Sequence, residues 1–286
     1  LNEDFGAGII SSIAYEANDY YLYPVVNSQN VVLSEFPYVT DENSTEIKRI
    51  YSMNSKSLSR DIMWPALLSL ATNDKLKFTC YLNPSNSNLQ SEKESKEYLE
   101  FYLKQLQEID GEIGQCVDLN DGNNSFYNAV PNYKYVTGFS EDVNETAGEY
   151  TSLVTMNAPR EVSYLSDNTT CMNITNYADE YTYSRALKNR CTINSLGYAT
   201  TLIDTKKVLM PANKNEEWQN FSKEVFGNVD TIYCSIDYFD FTAVSESDAR
   251  VRNYLNLKYA SNREDNKIDI NVDNVSEAYF VFRTHN

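Results

Sequence analysis

Lys75-Leu76-Lys77-Phe78-Thr79-Cys80-Tyr81-Leu82, the charged segment after it, and Glu112-Ile113-Gly114-Gln115-Cys116 decide the fold. The first stretch predicts a short apolar strand and the last predicts the next strand edge. Between them, from about Gln90 to Ile109, Leu99, Tyr102, Leu103 and Leu106 recur at the i, i+3, i+4, i+7 spacing of a helix with one apolar face. Strand, crossover helix and strand form the unit of a parallel α/β sheet, in which functional groups gather past the carboxyl ends of the strands.

Upstream, Tyr20–Val26 and Val31–Leu33 read as strands, and Gly6–Ile10 shows no helical periodicity. Residues 1–45 are therefore expected to form a β-rich extension, an added edge or small lobe, ahead of a main domain at 46–286. Ile47-Lys48-Arg49-Ile50-Tyr51-Ser52-Met53 reads as the first strand of that domain. Pro65 places a helix start within about three residues upstream, since proline is tolerated only in a first turn, and Leu67, Leu70 and Ala71 share its face. The stretch from Asp118 to Glu161 is loop-like.

Downstream, Val162–Leu165 reads as a strand, Tyr183–Leu196 as a helix and Tyr198–Asp204 as a strand ending in a carboxylate. Trp218, Phe221 and Val225 predict a helix that Gly227 closes. Thr231–Ile236 predicts a strand, Ser245–Asp248 a capping box opening a further helix, Lys267–Val272 a half-exposed strand and Ala278–Phe282 a buried one.

Composition narrows the partners. The 286 residues carry a formal charge of −17, a field that repels phosphate backbones and argues against nucleic-acid binding. No run of about 18 apolar residues occurs, so no membrane contact is expected within this segment. The five cysteines are widely spaced, with no C-x-x-C pair. The 23 tyrosines suit either a sugar-facing surface or half-buried sheet. Glycine-rich phosphate loops, G-x-S-x-G elbows and H-E-x-x-H helices are missing, and no cofactor is expected. His285 is the one histidine, which leaves neither a multi-histidine metal site nor a triad built on another histidine.

The order of elements resembles the polysaccharide deacetylase, or NodB-homology, superfamily, whose fold is a distorted (β/α) barrel. The family's second strand, A-T-F-F, is matched by Lys77-Phe78-Thr79-Cys80-Tyr81, and its third, E-I-G-N-H, by Glu112-Ile113-Gly114. Its first strand would fall on Ile47–Met53 and its last, ending L-x-H, on Val281–His285. More closely, the chain looks like a subgroup found with bacterial exopolysaccharide secretion genes.

The departures matter most. The resemblance puts the family's metal-binding aspartates at Ser52, Met53 and Asn54, and its two metal-binding histidines at Cys116 and Asn120. A divalent metal in such enzymes polarises the amide and activates water. No metal site is therefore expected. The resemblance implies an extracytoplasmic, catalytically degenerate domain that binds or guides an exopolysaccharide, with amino sugars among its candidate residues and the secretion machinery as partner. A membrane anchor would lie outside this segment.

The expected ligand site is Asn54, Glu112, Asp204, Arg283 and His285, with Asp204, His285 and Glu112 as catalytic candidates. Asp118 and Asp237 are further strand-end carboxylates, and for each of these acids loop charge or helix capping competes with chemistry. Two alternatives stay open. One is an active carbohydrate enzyme, either a deacetylase with unusual ligands or a carboxylate-pair glycosidase. The other is a surface adhesin or scaffold.

Overall fold

The computed structural model describes residues 3–18, 20–36, 42–82, 92–117, 137–143, 150–230 and 238–284. His285, Asp118, Asn120, Asp237, Cys234 and the strand expected at Thr231–Ile236 lie outside them. The described chain is a mixed α/β structure whose main sheet curls into a half-barrel, the coarse form of the architecture expected.

In chain order the elements are α1 (Glu3–Ala17), β1 (Tyr20–Val25), β2 (Ser28–Leu33), α2 (Ser44–Tyr51), α3 (Ser55–Leu58), a π turn (Ser59–Met63), α4 (Trp64–Asp74), β3 (Phe78–Leu82), α5 (Glu92–Glu108) and β4 (Glu112–Cys116). Then come β5 (Thr137–Ser140), β6 (Ser152–Thr155), β7 (Val162–Tyr164), β8 (Thr170–Asn173), β9 (Asn176–Tyr177), α6 (Tyr183–Asn194), β10 (Tyr198–Ile203), α7 (Lys206–Leu209) and α8 (Trp218–Asn228). The chain closes with α9 (Val244–Asn256), β11 (Lys258–Glu264), β12 (Lys267–Asp273) and β13 (Tyr279–Thr284).

The nine-stranded sheet runs β7-β8-β6-β5-β4-β3-β2-β10-β9. Every pairing in it is parallel except β7 with β8. The unit β3-α5-β4 is therefore the crossover expected from its sequence, with Cys80 opposite Ile113 and Tyr81 opposite Gly114. Parallel strands are covered on both faces and read as continuous apolar runs. The convex face buries Phe36, Trp64, Leu67, Phe78, Leu99 and Tyr102 beneath α4 and α5.

The concave face buries Val32, Tyr81, Cys116, Phe139, Val154, Met172 and Leu202, together with Val244 and Val251 of α9. Because α9 touches β2 as well as β6 and β8, near opposite ends of the sheet, the sheet curls around this helix. Two further ribbons, β1 with β13 and β11 with β12, stand outside the main sheet. They meet at Tyr259 and Phe280, whose ring centroids are 5.1 Å apart.

Five sequence expectations are corrected. Ile47–Met53 is not a strand but α2 and its exit, with Asn43 capping Glu46 N–H and Ser52 left-handed at φ 57°. Residues 1–45 are not a β-rich edge: they begin with α1 and contribute β2, which lies inside the sheet between β3 and β10. The Asp118–Glu161 stretch holds β5 and β6, both buried sheet strands. Ala278–Phe282 belongs to the outlying ribbon, half exposed, and Gly227 lies within α8 rather than ending it.

Candidate functional site

The described residues of the expected site do not come together. Asn54 stands on the α2–α3 corner, where its side chain accepts from Ser57 N–H at 2.8 Å as a helix cap. Arg283 sits in β13 opposite Tyr21, with its guanidinium 6.0 Å from the Tyr23 ring. Glu112 opens β4, whereas Asp204 follows the last residue of parallel β10. Their strands stand three places apart in the order β4-β3-β2-β10, so at about 4.8 Å per strand the two lie roughly 14 Å apart across the sheet.

Glu112 is a cap. Its carboxylate accepts from Ser245 N–H at 2.8 Å and from the hydroxyls of Ser245 and Thr79, which holds it at the first turn of α9. A carboxylate suits that position because the peptide dipoles of a helix leave its amino end positive. Burial still raises the Glu112 pKa, against the lowering effect of the Ser245 and Thr79 hydrogen bonds.

At the carboxyl end of β10, Asp204 has neighbours that its sequence context did not announce. β2 leads into Ser34 and Glu35, β9 into Asp179 and Glu180, and β10 into Asp204, Lys206 and Lys207. The Ser34 hydroxyl donates to Asp204 Oδ1 at 3.4 Å and Lys206 N–H to the same oxygen at 3.2 Å. Both bonds land on Oδ1, which leaves Oδ2 for another donor.

Lys206 Nζ lies 3.4 Å from Glu35, and Lys207 Nζ lies 2.6 Å from Asp179 and 3.4 Å from Glu180. Arg185 closes the ring at 2.5 Å from Glu180, with its guanidinium 4.7 Å from the Tyr177 ring centre. Glu35 holds a left-handed backbone at φ 53°, uncommon for a residue other than glycine, two residues past the end of β2.

Four carboxylates thus face three cations. Burial raises the Asp204 pKa most, Lys207 and the Lys206 N–H oppose it, and the Asp179 and Glu35 charges add to it. The Arg185 hydrogen bond pulls Glu180 down. Burial pulls the Lys207 ammonium down, but Asp179, Asp204 and Glu180 together outweigh it and raise its pKa.

Cys116, at the end of β4, is buried. Desolvation raises its thiol far above the usual range, as for an inert structural cysteine. With Ser52 and Asn54 away on a helix corner, the described positions to which the resemblance assigned metal ligands do not fit a metal. Among the described residues, no three His, Cys, Asp or Glu side chains form a group that could hold one.

The raised Asp204 pKa carries a sign. A carboxyl that holds its proton more tightly when folded contributes stability that is complete below its unfolded value of about 3.9 and is lost as pH rises through the folded value. Asp204→Asn removes that loss. The variant is expected to melt above wild type at pH 7 and level with it near pH 3.5, as thermal unfolding at the two pH values will read. Equal melting at pH 7 would contradict the assignment.

Sequence reasoning named Asp204 but missed Glu35, Asp179, Glu180, Lys206 and Lys207. A usable signal existed in Ser34-Glu35, which directly follows the apolar run Val31–Leu33. No family model matches the chain, and neither does any curated protein or solved structure.

Proposed function

We propose that this domain binds a polysaccharide across the carboxyl ends of its parallel strands and does not hydrolyse it. It would be a deacetylase-like fold whose metal-hydrolytic centre has been replaced, acting outside the cytoplasm beside exopolysaccharide secretion machinery. One observation carries the reading: the functional end of the sheet is a ring of mutually paired acids and bases. Glu35, Asp179 and Glu180 each face a lysine or arginine, and Asp204 keeps one oxygen for an incoming donor.

Such a ring presents many donors and acceptors to a hydroxyl-rich ligand. Three of its four carboxylates are held in ion pairs, and among the described residues no metal-binding group stands by to activate water for amide hydrolysis. The protein is expected to retain acetylated amino-sugar oligomers in equilibrium binding. It is expected to release no acetate above a protein-free control when zinc, cobalt or manganese is supplied. Stoichiometric acetate release would overturn the non-catalytic role, and failure to bind any glycan would overturn the binding role.

A further inference from the structure

The turn from β9 into α6, Tyr177-Ala178-Asp179-Glu180-Tyr181-Thr182-Tyr183, borders Asp204 and Lys207. It is anchored along its length. Ala178 N–H donates to Leu202 O at 2.9 Å, and Asn228 Nδ2 donates to Ala178 O at 2.7 Å. Asp179 and Glu180 bind Lys207, Glu180 also binds Arg185, and Thr182 caps α6 through Arg185 N–H at 3.3 Å. From this fixed backbone Tyr181 and Tyr183 stand 55% and 76% exposed.

Thr182 is extended, at φ −132° and ψ 146°. Across an extended residue the flanking Cα atoms are about 7 Å apart, so the two exposed tyrosines stand close together on one turn. That is the scale of a short run of linked pyranose rings. An aromatic ring offers a C–H-rich sugar face a flat apolar surface while its hydroxyl stays wet, and a pre-set backbone reduces the ordering cost of binding. The adjoining ring of charges has one carboxylate in excess, on a protein of net charge −17.

We infer that Tyr181 and Tyr183 form a stacking platform for a non-acidic pyranose chain, which Asp204 Oδ2 anchors through a hydroxyl or amine donor, and that this surface rejects polyuronates. The inference rests on the polysaccharide-binding reading above. It adds which residues hold the chain and which charge class is excluded. Both aromatic side chains lie outside the core, so their removal leaves the fold intact.

The test is calorimetric titration of the protein and of a Tyr181→Ala/Tyr183→Ala variant with cello-oligomers, N-acetylglucosamine oligomers and oligoguluronate. Thermal melting serves as the control for folding. Expected is binding of one of the two neutral oligomers by wild type, weakening about tenfold or more in the variant at unchanged melting temperature, and no binding of oligoguluronate. Neutral-oligomer binding that the variant retains would overturn the platform and leave the polysaccharide reading standing. Preference for oligoguluronate would overturn the charge selection. Binding of none of the three by wild type would overturn the platform together with the reading on which it rests.

Discussion

Asp248→Ala is expected to cost about 3 kcal/mol of folding stability. Asp248 of α9 is 4% exposed. It receives Arg252 Nε at 3.0 Å on both carboxylate oxygens and the Thr170 hydroxyl on one of them. Arg252 continues to the carbonyls of Thr151 and Asn168 at 2.5 and 2.8 Å. One carboxylate therefore ties α9 to the β6–β8 side of the curl.

Removing one partner of a buried pair costs about 3–5 kcal/mol, because it strands the other charge. Arg252 retains 28% exposure, which places this case at the low end. Asp248→Asn, which keeps an acceptor, should lose about half as much. Denaturant unfolding will decide through a shift of midpoint at constant slope. A loss below about 1 kcal/mol would show that α9 holds to the sheet without this tie.

Gly114→Ala is expected to cost a comparable amount, about 3 kcal/mol, at the upper end for overpacking. A Cβ at Gly114 would lie 2.4 and 2.5 Å from two ring carbons of Tyr81 and 2.8 Å from Thr137 Cγ2. The Tyr81 ring cannot swing aside. It is fully buried, its centroid is 5.4 Å from that of Phe139, and its hydroxyl is hydrogen-bonded to Thr137 at 2.9 Å. Tyr81→Leu should therefore rescue Gly114→Ala in part, so that the double variant is more stable than the two separate losses imply. Additive losses would mean that the strand backbone, and not the ring, takes up the methyl group.

Much of the sheet was legible in local pattern. Phe78–Leu82 and Tyr198–Ile203 are apolar runs because parallel strands bury both faces, and Leu99, Tyr102 and Leu106 mark α5 because it buries only one. The misreading of Ile47–Met53 had a local remedy. Ile47, Ile50 and Tyr51 stand at helical spacing, and Asn43 with Glu46 is a cap pattern, which together outweigh two β-branched residues.

β2 was harder to place. Its first half, Ser28-Gln29-Asn30, reads as polar loop yet is buried, because Ser28 and Asn30 hydrogen-bond to Thr242 and Ser247 more than 200 positions away. The ring around Asp204 was hidden for the same reason, since Lys206 meets Glu35 across 171 residues. Spacing along the chain reports a helix face or a strand alternation. It carries no information on which strand ends are neighbours once the crossovers are made.

The placement of α9 bears on how the protein is made. Ser28 and Asn30 near the start of the chain find their partners only when Thr242 and Ser247 arrive, and the Tyr15 hydroxyl waits for the Thr284 carbonyl at 2.9 Å. While the ribosome is still adding residues, the convex half can settle, because α4, β3, α5 and β4 are contiguous. The concave half must hold its apolar strands and unpaired polar groups open until α9 emerges. Contacts so distant in sequence form slowly and leave an adhesive surface uncovered in the meantime. Helix α9 therefore acts as a latch, and a chain cut short before it would be a candidate for chaperone capture and proteolysis while its convex layer is already well packed.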